Sequence, residues 1–587
     1  MKASFILAGL LVLFSGCAAQ DTEIGSFSKH LNSPSPVKVG LIAINDFHGA
    51  LEPPGRTVSV ELDNGTVAEV PAGGAAWLAT TIDELRARHP YNLTVAAGDL
   101  TSASQLASSL FLDEAAIGVM NRIGLDLTAV GNHEFDRGWQ ELRRLQNGGC
   151  EKLANREPCA VEPDFAGASY EYLAANVRMA DGSTVFPGTA LRTFGEAPNA
   201  VTIGFVGLTL KGTAELVVPG GVAGLTFEDE AETINRATTA LDEAGADAIV
   251  VLIHQGILTD PKSQPNGCAD AAGPLLPILP KLDSRVDVII SGHTHWQYIC
   301  DWPSGDGSKE FLLTSAGFHG ILATDINLSI DPQSGDVLSK SAENIAVRSP
   351  AFGDTPIEAS LPPVAPRADV KEYVARYVDA AQAFEDRPAG HLSQTLEESD
   401  DYERGGALGR LIADAQLAAT RENGAQIAFM NPGGVRAPLR PSPDGALTFG
   451  QIFRTQPFGN VLVTMTLTGA QIRQVLEEQL ADDRDEVQIL SPSAGFDFTF
   501  DRSRAEGQRI VSLSLMGAPL QPDQTYRVTV SNFLAEGGDG FSGFKLGTDR
   551  QIGLSDLEAL EAWLKVTPPR EAPIQERATE IVGSAHL

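Results

Sequence analysis

The sequence predicts an α/β protein with more than one domain, and three observations carry that prediction. Short aliphatic runs alternate with helical stretches through the first half of the chain, the pattern of a largely buried sheet. Each of five such runs stops abruptly at polar residues, and ligands gather at the carboxyl ends of strands in α/β sheets. At 587 residues the chain exceeds one hydrophobic core, since domains take roughly 100–200 residues each.

Taken in order, the chain opens on a targeting segment. Lys2 precedes an apolar core from Phe5 to Phe14 that is too short to span a bilayer. Leu13-Phe14-Ser15-Gly16-Cys17 resembles a bacterial lipobox, which predicts a lipoprotein-type signal over 1–16 and a lipid on Cys17. Phe14 stands where that pattern has an aliphatic residue, and Cys17-Ala18-Ala19 also suits a plain secretory cut after Ala19. Both readings send the chain out of the cytoplasm, to the periplasm or the surface of a bacterium. Residues 17–36 read as a polar tether ending in Ser33-Pro34-Ser35-Pro36, and residues 37–345 as the first domain.

Within that domain the five runs and their stops are Val37 to Ile44 before Asn45-Asp46-Phe47-His48, Leu93 to Ala97 before Gly98-Asp99, Leu125 to Val130 before Gly131-Asn132-His133-Glu134-Phe135-Asp136, Ala248 to Ile253 before His254, and Val286 to Ile290 before Ser291-Gly292-His293-Thr294-His295. Helices are expected over 75–88 and 227–244. A linker follows at 346–387. It is proline-rich from Pro350 to Pro366 and then helical over 367–385, where Val370, Tyr373, Val374, Tyr377, Val378 and Ala381 recur at spacings of three and four. Pro388 ends it. That helix could join two domains or simply pack on the second. Residues 388–587 read as a second domain that mixes helices (407–422, 469–480) with strands (426–430, 461–467, 510–515, 526–531), with Thr468 as a helix N-cap.

Composition excludes some partners. A formal net charge of −33 repels nucleic-acid polymers and anionic lipid surfaces, so membrane association is expected only through the N-terminal anchor. A small anionic substrate needs a local positive site, and bound metal ions supply one. Of five cysteines, four remain after Cys17: Cys150, Cys159, Cys268 and Cys300. An even set in an exported chain reads as disulfides. Pairing of neighbours, Cys150 with Cys159 and Cys268 with Cys300, is one of three possibilities.

Singly, an Asp-x-His after a strand is more often a turn than a ligand pair, and a lone histidine after an apolar run is more often a core residue. Jointly the five stops hold five of the ten histidines, and independent turns do not account for that. Alternate histidines on an extended chain, as at His293 and His295, face the same side. In order, the five stops resemble the motifs of the calcineurin-like metallophosphatases and, more narrowly, the 5′-nucleotidase family of exported nucleotidases and UDP-sugar hydrolases, over about residues 37–545.

That resemblance implies an N-terminal four-layer α/β/β/α sandwich, a linker helix, and a smaller C-terminal α+β domain that binds substrate, with the domains rotating to close. It also implies two divalent metals. Asp46, His48 and one further histidine would hold one, and Asn132, His254 and another histidine the other. Asp99 would bridge them, and His293 and His295 would divide between the two sites in an order the sequence leaves open. Mixed carboxylate and imidazole ligands suit Zn, Mn or Co. His133, held protonated by Asp136, would stabilise charge on phosphorus oxygens. Glu134 and Phe135 are left to packing.

Three turns of the second domain resemble the family's nucleotide-binding elements. Asn431 and Arg436 lie in Asn431-Pro432-Gly433-Gly434-Val435-Arg436, Phe458 in Gln456-Pro457-Phe458-Gly459-Asn460, and Phe533 and Asp539 in the stretch 532–541. The resemblance implies a base sandwiched between Phe458 and Phe533, with Asn431, Arg436 and Asp539 on the nucleoside and phosphate. The family's further arginine is displaced here: Tyr402 stands at its place, so Arg404 and Arg410 are candidates only, and Pro432 replaces a glycine. The expected reaction is hydrolysis of nucleoside 5′-monophosphates, with nucleotide pyrophosphates such as UDP-sugars as further substrates, by in-line attack of a dimetal-activated water. The alternatives are a 2′,3′-cyclic nucleotide 2′-phosphodiesterase/3′-nucleotidase and a surface binding protein that has lost catalysis.

Overall fold

The computed structural model describes residues 35–581 apart from 63, 155, 218, 261–263, 354, 398–405, 483, 485–486 and 567–568. The targeting segment, Cys17 and Arg404 therefore lie outside the described residues. Among the described residues no helix is long and apolar enough to cross a membrane.

Two six-stranded sheets build the first domain. Edge to edge, one runs Val337–Ala346, Leu322–Ile330, Val37–Ile44, Tyr91–Ala96, Leu127–Ala129, Glu171–Leu173, and the other Gln297–Pro303, Glu310–Ala316, Val286–Ser291, Ala248–His254, Val201–Thr209, Thr189–Phe194. The aliphatic runs are continuous because both faces of each strand are buried. On the Val37–Ile44 strand, Val39, Leu41 and Ala43 enter the core shared with the second sheet. Its alternate residues Ile42 and Ile44 face a different core built from the helices Ala75–Arg86 and Glu114–Ile123. On the Ala248–His254 strand, Val250 and Leu252 face inward, while Ile249, Val251 and Ile253 meet the helix Glu230–Glu243. The result is the four-layer α/β/β/α sandwich. Each sheet has parallel strands at its centre, which brings the five polar stops to their carboxyl ends.

Several sequence expectations shift. The helix expected over 227–244 starts at Glu230, because the Asp229 side chain caps it by accepting from the Glu232 N–H, and Phe227 belongs to a short strand, Leu225–Phe227. A hairpin that the sequence does not announce pairs Arg56–Glu61 with Val67–Ala72; it packs Val58 and Ala72 against Ala316, Ile321 and Leu322. Both disulfides join sequence neighbours, Cys150–Cys159 and Cys268–Cys300.

The helix Ala368–Glu385 packs mainly on the first domain, and its last turn meets the second, where Glu385 pairs with Arg454. Val370, Tyr373, Val374, Tyr377 and Ala381 complete the helical core of the first. A side chain at Gly118 would collide with Tyr373 Oη, so glycine there is a requirement of close approach. Beyond this helix stands the second domain. A five-stranded sheet orders Ser491–Pro492, Ile427–Met430, Thr525–Ser531, Val461–Thr468 and Thr548–Ser555, and a four-stranded sheet orders Ala518–Pro519, Ile510–Leu515, Phe496–Phe500 and Ala578–Glu580. Thr468 caps the helix Gly469–Glu478 in a reciprocal box with Gln471.

Candidate active site

Backbone strain marks the site before any side chain is considered. Asp46, His48, Asp99, His293, His295 and His319 all have φ between 47° and 73°, a left-handed conformation that costs non-glycine residues about 1–3 kcal/mol each. Surrounding hydrogen bonds enforce it. The N–H of Asp46 donates to Gly98 O at 3.1 Å, that of His48 to Asp99 O at 3.0 Å, and that of His319 to Asp46 O at 2.7 Å. A side chain at Gly131 would displace Asp99.

These turns gather two groups of donor atoms, Asp46 with His48 and His295, and Asp46 with Asp99 and His254. His48 Nδ1 lies 2.9 Å from Ser102 O and His254 Nδ1 lies 2.7 Å from Ala97 O. A carbonyl only accepts, so both Nδ1 atoms carry a proton and both Nε2 atoms are the ones turned toward the cluster. His48 Nε2 is 3.2 Å from His295 Nε2, 3.7 Å from Asp99 and 3.9 Å from Asp46. His254 Nε2 is 3.0 Å from Asp99 Oδ2 without the alignment of a hydrogen bond, and has no hydrogen-bond partner among the described residues; the buried Asn132 Oδ1 also lacks one. Convergent lone pairs and unpaired buried acceptors are what a cation satisfies, so these residues fit a pair of divalent ions. Burial holds His48 down to about 3 and His293 down to about 4, so both are neutral and able to ligate. His254 goes the other way, to about 10: burial opposes its positive charge, but Asp99 and then Asp46 outweigh that, so an ion held at its Nε2 would displace a proton.

The two histidines of the last stop are placed differently. His295 Nε2 is 3.4 Å from Asp46 Oδ1 and faces His48, whereas the His293 ring lies 5.3 Å from that of His254. His293 also donates its N–H to the Asp46 carboxylate at 3.0 Å.

His133 stands at the edge of the cluster, its ring 5.2 Å from that of His48. Its Nδ1 is 2.8 Å from Asp136 Oδ2, and its N–H donates to Asp99 Oδ1 at 3.0 Å. Burial disfavours a charged ring, but Asp136 and then Asp99 more than compensate, so its pKa is raised.

Three contributors escape a reading of the sequence. Glu134 is a brace. Its carboxylate accepts from the N–H groups of Asp99 at 2.8 Å, Leu100 at 2.7 Å, Thr101 at 3.1 Å and Gly131 at 2.7 Å, tying two strand-end loops together. Phe135, by contrast, packs as expected, edge-on to Phe227. Asn45 donates to the Asp46 carboxylate and accepts from the Ala316 N–H. His319 has its ring 5.9 Å from that of His48, and its buried Nδ1 has no hydrogen-bond partner among the described residues. The rule that finds the other stops also reaches it, because Gly317-Phe318-His319 is a sixth polar stop, after the strand Glu310–Ala316, which runs parallel to Val286–Ser291.

The second domain reaches the same place. Phe458 stacks on His133, centroids 5.7 Å apart and 12° from parallel, and the Arg436 guanidinium lies 5.7 Å from the Phe458 ring. Asn431 Nδ2 donates to Asp539 Oδ2 at 2.7 Å. Phe533 covers Gly538 so closely that a side chain there would collide with its ring; among the described residues it makes no ring contact with Phe458. Arg410 does not face this site. It is buried, and its guanidinium donates to Pro573 O at 2.8 Å and pairs with Glu576 at 2.9 Å, which ties down the C-terminal segment.

Comparison with known proteins supports this division. The model of the calcineurin-like phosphoesterases matches residues 41–297, and that of the 5′-nucleotidase C-terminal domain matches residues 388–546. The chain is 29% identical over 559 residues to the endonuclease YhcR of Bacillus subtilis, covering 93% of this chain and 41% of that protein. It is 28% identical to the cell wall protein Lmo0130 of Listeria monocytogenes, covering 92% and 67%. It thus spans well under half of the first relative's length. Among solved structures, a 5′-nucleotidase precursor from Thermus thermophilus is similar, with a TM-score of 0.72 at 26% identity over 93% of this chain and 100% of that one.

Proposed function

The chain belongs to the 5′-nucleotidase family, a calcineurin-like phosphoesterase domain followed by a 5′-nucleotidase C-terminal domain, and from that premise we propose that it hydrolyses the phosphate ester of nucleoside 5′-monophosphates. Nucleotide pyrophosphates such as UDP-sugars are further substrates in this reading. The observation that carries it is the stack of Phe458 on His133, which sets an aromatic platform of the second domain directly beside the charged edge of the first domain's cluster. Bases stack on such platforms with little regard to identity.

Asp46, His48, Asp99 and His295 would hold one divalent ion, and Asp99, Asn132, His254 and His293 the other. When bound, such a pair supplies positive charge and a water acidic enough to be a nucleophile at neutral pH. The chain's own groups do the rest. Asp136 fixes the His133 Nδ1 proton and leaves Nε2 to donate to the phosphoryl oxygens as they gain charge. Glu134 holds the backbone that aims Asp99. Asn431, Arg436, Phe458, Phe533 and Asp539 position the nucleoside. The two disulfides fit an oxidising compartment, in keeping with export; a lipid on Cys17 rests on the sequence alone.

The test is turnover of AMP, 3′-AMP, 2′,3′-cyclic AMP and UDP-glucose, each with Mn²⁺, Co²⁺ or Zn²⁺. Preference for AMP is expected. Preference for the cyclic or 3′ substrates would overturn the assignment in favour of a cyclic phosphodiesterase, and no turnover with any metal would leave a binding protein.

A further inference from the structure

Acidic residues outnumber basic ones by 76 to 43, and most arginines of the first domain are tied to carboxylates, as in the pairs Arg137–Asp113, Arg144–Glu114 and Arg285–Asp242. Arg56 is different. Among the described residues no carboxylate or carbonyl pairs with it. Its half-buried guanidinium lies 4.7 Å from the centroid of the Phe318 ring. That ring in turn stacks on His295, centroids 4.8 Å apart and 8° from parallel, and lies 4.5 Å from His319. Arg56 begins the Arg56–Glu61 hairpin strand, and the hairpin's packing against Ala316 and Ile321 fixes its position at the edge of the cluster.

A second observation points into the same space. His319 Nδ1 is buried and has no hydrogen-bond partner among the described residues. The His319 ring lies 5.9 Å from that of His48, beside the cluster. Arg436 of the second domain lies over Phe458, which stacks on His133. The mouth beside His48 is therefore flanked from both sides by cations in an otherwise acidic protein.

We propose that Arg56, with His319, forms a first-domain subsite for a second phosphoryl group, one that is not transferred, so that the site accepts nucleotides with a phosphoanhydride as well as simple monophosphates. A guanidinium suits this role because its planar fork pairs with two phosphoryl oxygens at once, and its present aromatic contact leaves those donors free of carboxylates. The subsite rests on the phosphoesterase reading of the metal cluster, and its test separates the two.

Binding is read by calorimetry on the full chain loaded with Mn²⁺, using inorganic phosphate and methylenediphosphonate, a pyrophosphate mimic that cannot be hydrolysed. Wild type is expected to bind the diphosphonate more tightly. Arg56→Ala should weaken the diphosphonate about tenfold, the scale of one charge-assisted pair, and phosphate by less than about twofold on the same reasoning. Arg56→Lys, which keeps the charge and loses the fork, should fall between and covers the case in which Arg56→Ala does not fold. Equal weakening of both ligands, no change in either, or a wild type that prefers phosphate would each overturn the subsite. If wild type fails to hydrolyse AMP while the differential binding persists, the proposed function falls and the subsite stands.

Discussion

The two domains meet at His133 and Phe458, yet they hold their functional groups in opposite ways. In the first domain the cluster is strained and unsatisfied: six residues sit at left-handed φ, and Asn132 Oδ1, His254 Nε2 and His319 Nδ1 are buried without hydrogen-bond partners among the described residues. In the second domain two of the candidate groups pair with each other, although Asp539 also sits at a left-handed φ of 53° and the Gln456 amide of the Phe458 turn is buried with no hydrogen-bond partner among the described residues. Asn431 donates to Asp539, and the Asp539 carbonyl accepts from Arg484 at 2.6 Å. A preformed cluster with unpaired acceptors waits for charge to be supplied. A self-paired one must exchange its partners when a ligand arrives, which makes binding weaker per contact and easier to reverse. Substitutions in the first domain should therefore show in metal content and kcat, and those in the second in KM.

The largest effect is expected at Asp99, which touches His48, His254 and the His133 N–H together. Asp99→Asn should lower kcat by more than the roughly 10²–10³ lost with one oxyanion donor, and metal analysis should show fewer ions bound per chain. His133→Ala should lower kcat by about 10²–10³ with metal content unchanged. Loss of metal in that variant would make His133 a ligand. Glu134→Gln keeps the shape but offers an amide where four N–H groups converge, and it should weaken metal binding by roughly 10–100-fold, as outer-shell changes do. Across the interface, Phe458→Ala should raise KM for AMP about 5–100-fold, the range for a lost base stack, and leave a small phosphoester such as p-nitrophenyl phosphate unaffected. Equal losses on both substrates would break the division between the domains.

The same contrast explains what is legible in the sequence. Candidate strand-end ligands stand out because a buried strand is a run of aliphatics and its polar stop interrupts it; Asp46, Asp99, Asn132 and His254 all follow such runs. His319 follows one too, and escapes notice only because its strand, Glu310–Ala316, carries the polar pair Thr314-Ser315 before the stop. Glu134 is invisible for a different reason. Its partners are backbone N–H groups of residues 99–101, brought to it by the fold, and no side-chain pattern records that. Arg410 misleads for the converse reason: it lies on a helix beside the candidate turns, but its guanidinium reaches a segment more than a hundred residues later. The linker helix shows its apolar stripe clearly, yet the periodicity is silent about which domain the stripe covers.

The smallest expected effect tests how the second domain anchors its aromatic turn. Asp556 is buried at the start of the helix Asp556–Leu564, and its N–H donates at 2.8 Å to the carbonyl of Asn460, two residues beyond Phe458. Burial pushes its carboxyl up to about 7, against hydrogen bonds from the Leu557 N–H and from Asn460 that favour the ionised form. An unfolded aspartate titrates near ~3.9. Below that value both states are protonated and the domain has its full stability. As pH rises toward 7 the unfolded chain releases a proton that the folded one keeps, so stability falls by at most about 1.4 kcal/mol per pH unit. Asp556→Asn removes the titration while an amide oxygen can still accept from Leu557. Its thermal midpoint, followed by calorimetry, should match wild type at pH 4 and exceed it at pH 8, by a few degrees for each kcal/mol gained. A variant less stable than wild type at pH 8 would mean that the carboxylate is ionised there and stabilised by the helix N-terminus. The Phe458 turn would then be held by charge, and the second domain would be less unlike the first than the hydrogen bonds imply.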